Sequence, residues 1–174
     1  MATLGKAARK VNAVDVSRPE ALDAAIELMH FGYRAMIAGP DRLLRRRALT
    51  RVHHRVLHFV ARAPGTSVNA LLRTLGVSKQ ALHAPLRTLT ARGLVVHARS
   101  PRDARVKALS LTPAGRRLEA SLSRLQRTQF AGVFAHVGAR DEAGWRRVMT
   151  VLAARELAAA RHTLPGTARR SRGT

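Results

Sequence analysis

Residues 67–93 constrain the fold most, because they encode two short helices joined by a tight turn. Ser67 and Ser78 are good N-caps, since a serine hydroxyl can accept a backbone N–H of the first helical turn. Gly76 and Gly93 suit the left-handed position that ends a helix. Two helices joined by a three-residue turn that contains glycine form the helix-turn-helix unit, so this segment predicts that unit.

The second helix of this unit has two different faces. Leucines at helical spacing predict a buried stripe: Leu82, Leu86 and Leu89. The opposite face carries only basic and polar groups, with no acid between residues 78 and 93: Lys79, Gln80, His83 and Arg87. Side chains of this kind can donate to phosphates and to base edges in a major groove. The alternative is an ordinary solvated helix face.

After Gly93 the pattern changes from helical to extended. Strands are predicted over residues 94–99 and 106–111, with a polar turn over residues 100–105 that carries Arg102, Asp103 and Arg105. A hairpin that follows a helix-turn-helix is a wing. An arginine at its tip can reach a narrow minor groove, where the negative potential is high. A nearby aspartate is best explained as a partner for an arginine, although chance charges in a surface turn are the alternative.

The charge of the chain is uneven. The formal net charge is +22, which attracts polyanions and makes binding dependent on salt. Acids are concentrated before residue 42, whereas residues 73–107 contain Asp103 as their only acid. The positive surface is therefore centred on the helix-turn-helix and the wing. Arginine use set by codon bias is the alternative source of the total charge.

Composition and motifs exclude several classes of protein. Aromatic residues make up 3% of the chain, so the core is expected to consist of Leu, Val and Ala, which favours helices. The chain has no cysteine, which excludes disulfides and cysteine-based zinc or redox sites. There is no secretory apolar core and no apolar run that approaches a membrane span, so a cytoplasmic protein without a membrane partner is predicted. No phosphate loop or GxSxG motif is present, and we predict no enzyme activity, cofactor or metal.

The predicted fold is mainly α with a small β-hairpin wing, a winged helix-turn-helix flanked by N- and C-terminal dimerisation helices. The expected segments are a flexible N-terminus (residues 1–16), an N-terminal helical dimerisation segment (17–48), the DNA-binding lobe (49–112), C-terminal dimerisation helices (113–164) and a flexible basic tail (165–174). Ser17 with Glu20 forms a capping box for the first helix. Gly39 and Pro40 are expected to end this helix, and residues 41–48 form either a short helix or a basic linker.

The outer helices predict an oligomer. Thr112 and Pro113 start one long helix that Gly138 ends, and Asp141 is expected to cap the last helix, which Pro165 closes. A lobe of about 60 residues cannot bury three further amphipathic helices. These helices are therefore expected to bury one another partly across a two-fold axis, as in dimeric helix-turn-helix proteins. A monomeric bundle is the alternative.

The order of these signals resembles the MarR family of bacterial transcriptional regulators. The matching residues are Leu49 and Thr50, Arg55 to Leu57, Pro64 and Gly65, residues 75–80 (Leu-Gly-Val-Ser-Lys-Gln), Leu89 with residues 92–95, residues 101–105 and residues 109–115. The resemblance implies a homodimer that binds pseudo-palindromic double-stranded DNA. It also implies DNA release when a small aromatic or phenolic effector binds between the dimerisation region and the DNA-binding lobe.

The resemblance also assigns roles to individual residues. Ser78, Lys79, Gln80, His83 and Arg87 would face the major groove. Arg105 would enter the minor groove and Asp103 would orient it, with Arg102 in the same wing. Pro85 departs from the commoner family pattern, and we expect it to bend the helix after its DNA-reading end, residues 78–83.

Two histidines lie on one face of the helix predicted over residues 51–63. His54 and His58 are four residues apart on one helix face, but no cysteine or nearby acid completes a metal ligand set. The resemblance places them instead in the effector pocket, with Met29, Tyr33 and Arg34 of the first helix. A plain packing or surface role is the alternative for each residue.

The preferred function is therefore a ligand-responsive repressor. The alternatives are a non-specific basic nucleic-acid-binding or architectural protein and a small-molecule-binding protein that has lost DNA control.

Overall fold

The computed structural model describes residues 18–99 and 107–162, and the fold class predicted from the sequence is confirmed. The elements in chain order are α1 (Pro19–Arg45), α2 (Arg51–Arg62), β1 (Thr66–Ser67), α3 (Val68–Leu75), α4 (Lys79–Ala91), β2 (Val95–Arg99), β3 (Lys107–Leu111), α5 (Pro113–Val137) and α6 (Ala139–His162). The predicted N-terminal segment of residues 1–16, the cap Ser17, Pro165 and the basic tail lie outside the described residues.

Local capping chemistry sets the ends of the short helices. The Ser67 hydroxyl accepts the backbone N–H of Ala70 at 3.1 Å, and the Ser78 hydroxyl accepts that of Ala81 at 3.2 Å. Gly76 ends α3 in the left-handed region, with a φ of 61°. Both predicted caps and the turn between α3 and α4 are thus confirmed.

The three strands form one antiparallel sheet in the order β1-β3-β2. In the hairpin, Val95 pairs with Leu111 and Arg99 pairs with Lys107. β1 was not predicted: Thr66 and Ser67 pair with Leu109 and Ala108. A two-residue strand is too short to show an alternating pattern, so the sequence carries no signal for it.

The core lies around α2, which packs against α3, α4, β3 and α5. Its buried side chains come from α2, α3, α4, β2 and β3: Val56, Leu57, Val60, Leu71, Leu75, Leu82, Leu86, Leu89, Val95, Leu109 and Leu111. Leu118 and Leu122 of α5 belong to the same cluster. The first half of α5 therefore packs into the core of this lobe, and the role of the helix in dimerisation stays a prediction.

The predicted end of α1 is wrong. The helix continues through Gly39 and Pro40 to Arg45, so residues 41–45 are helical and residues 46–48 form the turn. Pro40 is buried between Ile37 and Leu44, which are also buried. Burial of this face maintains the helix although the proline removes one backbone hydrogen bond.

The predicted start of the last helix is also wrong. α6 begins at Ala139, directly after Gly138, which ends α5 with a φ of 85°. Asp141 lies in the first turn of α6, where a carboxylate is favoured by the helix dipole. None of the helices in the described ranges is long and apolar enough to cross a membrane.

The apolar side chains of the outer helices, which were expected to bury one another partly across a two-fold axis, are exposed in the single chain. They include Leu22, Ile26, Met29 and Tyr33 of α1, Leu125 and Val133 of α5, and Trp145, Val148 and Leu152 of α6. Phe130, Phe134 and Trp145 contact one another where α5 and α6 meet, with ring centroids 5.3–5.5 Å apart. The rest of this apolar surface has no cover within the described part of one chain.

Gly115 is required where α5 starts. A Cβ atom at this position would lie 2.0 Å from the backbone oxygen of Leu94. Helix α5 cannot move away easily, because Thr112 donates its hydroxyl to the Gly93 carbonyl at 2.6 Å and its N–H to the Leu94 carbonyl at 3.1 Å.

We predict that Gly115→Ala lowers the free energy of unfolding by about 2–3 kcal/mol, because the clash is with backbone atoms. Denaturant unfolding measures the change. Gly132→Ala in the same helix is the matched control: its Cβ would meet nothing within 4 Å, so it should be neutral or stabilise by up to about 1 kcal/mol. Equal stabilities of the two variants would contradict the prediction.

Candidate nucleic-acid interface

Helix α4 lies beside strand β2 and forms an open groove of about 490 Å³ with it. Lys79, His83 and Arg87 line this groove, and Leu82 and Leu86 also contribute to its wall. Three of the five predicted major-groove residues therefore share one surface. Ser78 and Gln80, the other two, are exposed at the N-terminal end of the same helix.

The leucine stripe orients this surface. Leu82, Leu86 and Leu89 are buried in the core against α2. Because the helical period separates these residues from the basic ones, burial of the stripe turns the basic face outward. The N-cap of α4 also keeps a hydrogen-bond donor at the start of this basic face. The Ser78 oxygen accepts the N–H of Ala81, which leaves the hydroxyl hydrogen of Ser78 available to donate.

Pro85 lies inside α4 without interrupting it, since the helix runs continuously from Lys79 to Ala91. The buried leucines on both sides of Pro85 hold both halves of the helix against α2. As a result, Arg87 lines the same groove as Lys79, on the far side of the proline.

Two polar residues of the groove were missed in the sequence. Thr90 and His97 line it, and the Thr90 Oγ1 atom lies 3.4 Å from the His97 Nε2 atom. His97 is exposed on β2 and extends the polar surface from the helix onto the sheet. Helical spacing identifies only residues of α4, and the pairing of His97 with Thr90 depends on how the strand packs.

The wing is described up to the ends of its strands. The hairpin register brings residue 99 opposite residue 107. The predicted minor-groove residues Arg102, Asp103 and Arg105 lie outside the described residues, so their roles stay predictions.

Three of the predicted effector residues lie where α1, α2 and α5 meet: Tyr33, His54 and His58. Arg51 of α2 pairs with Asp41 of α1, with the Nε and Nη2 atoms 2.9 and 2.8 Å from Oδ2. The hydrogen bond that Arg51 donates to Asp41 raises the pKa of the Arg51 guanidinium, and Tyr33 contributes in the same direction. Tyr33 therefore lies close to α2. Met29 and Arg34 are exposed on α1 near it in sequence.

The two histidines of this junction differ in their surroundings. His58 Nδ1 lies 3.3 Å from Glu119 Oε1, and the Ser123 hydroxyl donates to the same oxygen. The His54 ring lies 6.5 Å from that of His58, and its buried Nε2 has no hydrogen-bond partner. Burial, followed by the charge of His58, lowers the pKa of His54.

The expectation that no acid lies near these histidines is wrong, because Glu119 comes from a helix 61 residues along the chain. Sequence spacing gives no signal for such a contact. In residues 18–99 and 107–162, no group of three His, Cys, Asp or Glu side chains is arranged to hold a metal ion.

His53 caps the N-terminus of α2. Its Nδ1 atom accepts the backbone N–H of Thr50 at 3.0 Å and lies 2.8 Å from the Thr50 hydroxyl oxygen. The ring is buried and its Nε2 atom has no partner. Burial lowers the pKa of His53 below its ordinary value of 6.5, and the charge of Arg92 lowers it further. The neutral form is therefore the one that caps the helix.

We predict that the folded protein loses stability as the pH falls below about 6.5. A lowered pKa means that the unfolded chain binds the proton more readily, so the contribution of His53 is complete above the ordinary pKa and is lost at lower pH. His53→Gln, whose amide oxygen can accept the same N–H without titrating, should reduce this dependence and leave the part that the lowered pKa of His54 contributes. Denaturant unfolding between pH 7.5 and 5.5 measures it.

Thr50→Ala, expected to cost about 1 kcal/mol at every pH, controls for loss of the cap. An unchanged pH dependence in His53→Gln would refute the role.

The order α2, β1, α3, α4, β2 and β3, with α3 and α4 joined at Gly76 and a hairpin after α4, defines a winged helix-turn-helix domain. A family model described as MarR family matches residues 49–106. The HTH-type transcriptional regulator PetP of Rhodobacter capsulatus is 41% identical over 133 residues, which cover 76% of this chain and 80% of that protein. The chain belongs to the MarR family and is a DNA-binding transcriptional regulator.

Solved structures show the same fold. FabT of Streptococcus pneumoniae, in complex with DNA, has a TM-score of 0.67 and 18% identity, covering 75% of this chain and 94% of that one. A MarR family protein of Mycobacterium tuberculosis, in complex with p-aminosalicylic acid, has a TM-score of 0.54 and 24% identity, covering 73% of this chain and 96% of that one. The family and the fold predicted from the sequence are thus confirmed.

Proposed function

We propose that the protein is a cytoplasmic, homodimeric repressor that binds a pseudo-palindromic operator and releases it when a small aromatic or phenolic effector binds. The observation that carries this proposal is the exposed face of α4, where Lys79, His83 and Arg87 line one groove beside β2. Within residues 78–93 there is no acid to neutralise them. A basic, hydrogen-bonding helix face that a buried stripe holds outward suits a major groove.

Base reading is assigned to the N-terminal part of α4. Gln80 can form two hydrogen bonds with an adenine, and Lys79 can donate to the acceptors of a guanine. Ser78, His83 and Arg87 complete the major-groove set. On the wing, Arg105, oriented by Asp103 and flanked by Arg102, would occupy the adjacent minor groove.

A second copy of the chain would cover the exposed apolar surface of the outer helices. In α1, Ile26 is 67% exposed, and Phe31, on the opposite side of the helix, is 60% exposed. Apolar side chains on two sides of one helix can be buried only if other helices pack on both sides. The neighbouring helices of the same chain bury them only in part. Large exposed apolar side chains in such number mark interfaces, and an isologous pair would bury those of both copies at once.

The effector site is assigned to the junction of α1, α2 and α5, with Met29, Tyr33, Arg34, His54 and His58. This junction joins the helices of the proposed dimer to the lobe that holds α4. The unpartnered His54 Nε2 offers a hydrogen bond to a phenol or carboxylate group. The p-aminosalicylic acid complex of the Mycobacterium tuberculosis relative supports an effector of this chemical class.

We predict that the protein selects a specific site from a library of random DNA duplexes and binds it more tightly than random duplex in mobility-shift assays. Gln80→Ala should reduce this discrimination by about 1–3 kcal/mol, because the base contact is lost. Arg105→Ala should weaken binding while leaving the oligomeric state unchanged. Equal affinity for selected and random duplexes would instead favour a non-specific basic nucleic-acid-binding protein, which the net charge of +22 would suit.

We predict that Ile26→Lys shifts the protein from dimer to monomer at micromolar concentration, because it places a charge in the proposed apolar interface. Analytical ultracentrifugation gives the mass directly. Asn69→Lys adds a lysine at an exposed position of α3, outside the outer helices, and should remain dimeric. A wild-type protein that sediments as a monomer would rule out the proposed dimer.

A further inference from the structure

A cluster of arginines lies where α1 meets α2, outside the groove of α4. Arg42, Arg45, Arg46 and Arg47 are all exposed within six consecutive positions. Arg92, at the end of α4, joins them because its Nη1 atom donates to the backbone oxygen of Arg47. We refer to these five residues as the arginine corner.

The turn that carries the arginine corner is held by the core. Leu44 and Leu49, on either side of it, are 1% and 4% exposed. The Leu44 carbonyl accepts the N–H of Arg47 at 2.9 Å and that of Leu49 at 3.0 Å. Between them Ala48 takes a φ of 47°. The arginines therefore occupy a defined surface and do not lie on a loose linker.

No nearby acid in the sequence is free to neutralise this surface. Asp41 is the only acid from residue 28 to residue 102, and its carboxylate pairs with Arg51 through three contacts of 2.8–3.2 Å. Guanidinium groups held together without an anion repel one another. Such a surface fits a polyanion, and the planar fork of arginine matches phosphate oxygens.

The link from Arg92 to Arg47 sets the position of this surface relative to α4. Helix α4 has 13 residues. At about 1.5 Å per residue it is about 20 Å long, and Arg92 follows His83 by about 14 Å along the axis. With residues 78–83 in the groove, the corner would lie outside the stretch of groove that these residues read.

We propose that the arginine corner binds the phosphate backbone of duplex DNA beside the groove that α4 enters. This inference rests on the proposed function, because it requires α4 to be seated in a major groove. The corner supplies affinity and register without reading bases, since phosphate contacts are the same for every sequence. It extends the DNA contact beyond the helix-turn-helix and the wing to a third part of the chain.

The test compares two variants of equal charge in the full-length protein. Arg46→Gln/Arg47→Gln removes two charges from the corner and keeps the Arg47 backbone oxygen. Arg140→Gln/Arg147→Gln removes two exposed charges from α6. Affinity for the selected duplex and for random duplex is measured at several salt concentrations. The corner variant should lose about 0.9 units of the slope of log K against log salt per phosphate contact. Its discrimination between the two duplexes should stay that of the wild type.

Equal salt slopes for the corner variant and the α6 variant would overturn the proposal. A corner variant that loses discrimination together with affinity would overturn it as well, because base reading would then be involved. If thermal unfolding shows that the Arg46→Gln/Arg47→Gln variant is misfolded, Arg42→Gln/Arg45→Gln gives the same test, because these two arginines lie on the helical part of the corner. Failure of the wild type to discriminate between duplexes is a different result, which counts against the proposed function itself.

Discussion

The packing of α4 against α2 is the interaction on which the DNA-facing surface depends. Leu82, Leu86 and Leu89 are almost fully buried, and each buried leucine contributes about 1.5–3 kcal/mol. The same stripe fixes the rotation of the helix about its own axis. Affinity for DNA and stability of the lobe are therefore set by opposite faces of one 13-residue helix, and a change that weakens the stripe would also misdirect the basic residues.

Local chemistry made much of this fold readable from the sequence. Ser67, Ser78 and Thr112 each cap the helix that follows them, and Gly76 and Gly138 each end one. These signals depend on a residue and its nearest neighbours along the chain. The leucine spacing of α4 adds which side is buried, and this identified the face where Lys79, His83 and Arg87 lie.

The predictions that failed, for the end of α1 and for the surroundings of His58, share one cause with the contact of Thr90 that was missed. Each depends on a contact that a sequence pattern does not encode. Pro40 ends a helix by its local chemistry, yet burial beside Ile37 and Leu44 carries α1 past it. Glu119 reaches His58 from a different helix, and His97 reaches Thr90 from a strand. Neither pair has a fixed spacing that a sequence pattern could detect, so both depend on how the elements pack.

The division of α5 between two environments has a mechanical consequence. Its first turns, with Leu118 and Leu122, are embedded in the lobe core, whereas Val133 and Val137 are exposed near its far end. The helix has 25 residues and no proline after its first position. It therefore forms one continuous rod whose first turns are fixed in the lobe. In the proposed dimer, a change in how the exposed ends of the two α5 helices pack would be carried to each lobe as a rigid-body shift, and so would alter the separation of the two α4 helices.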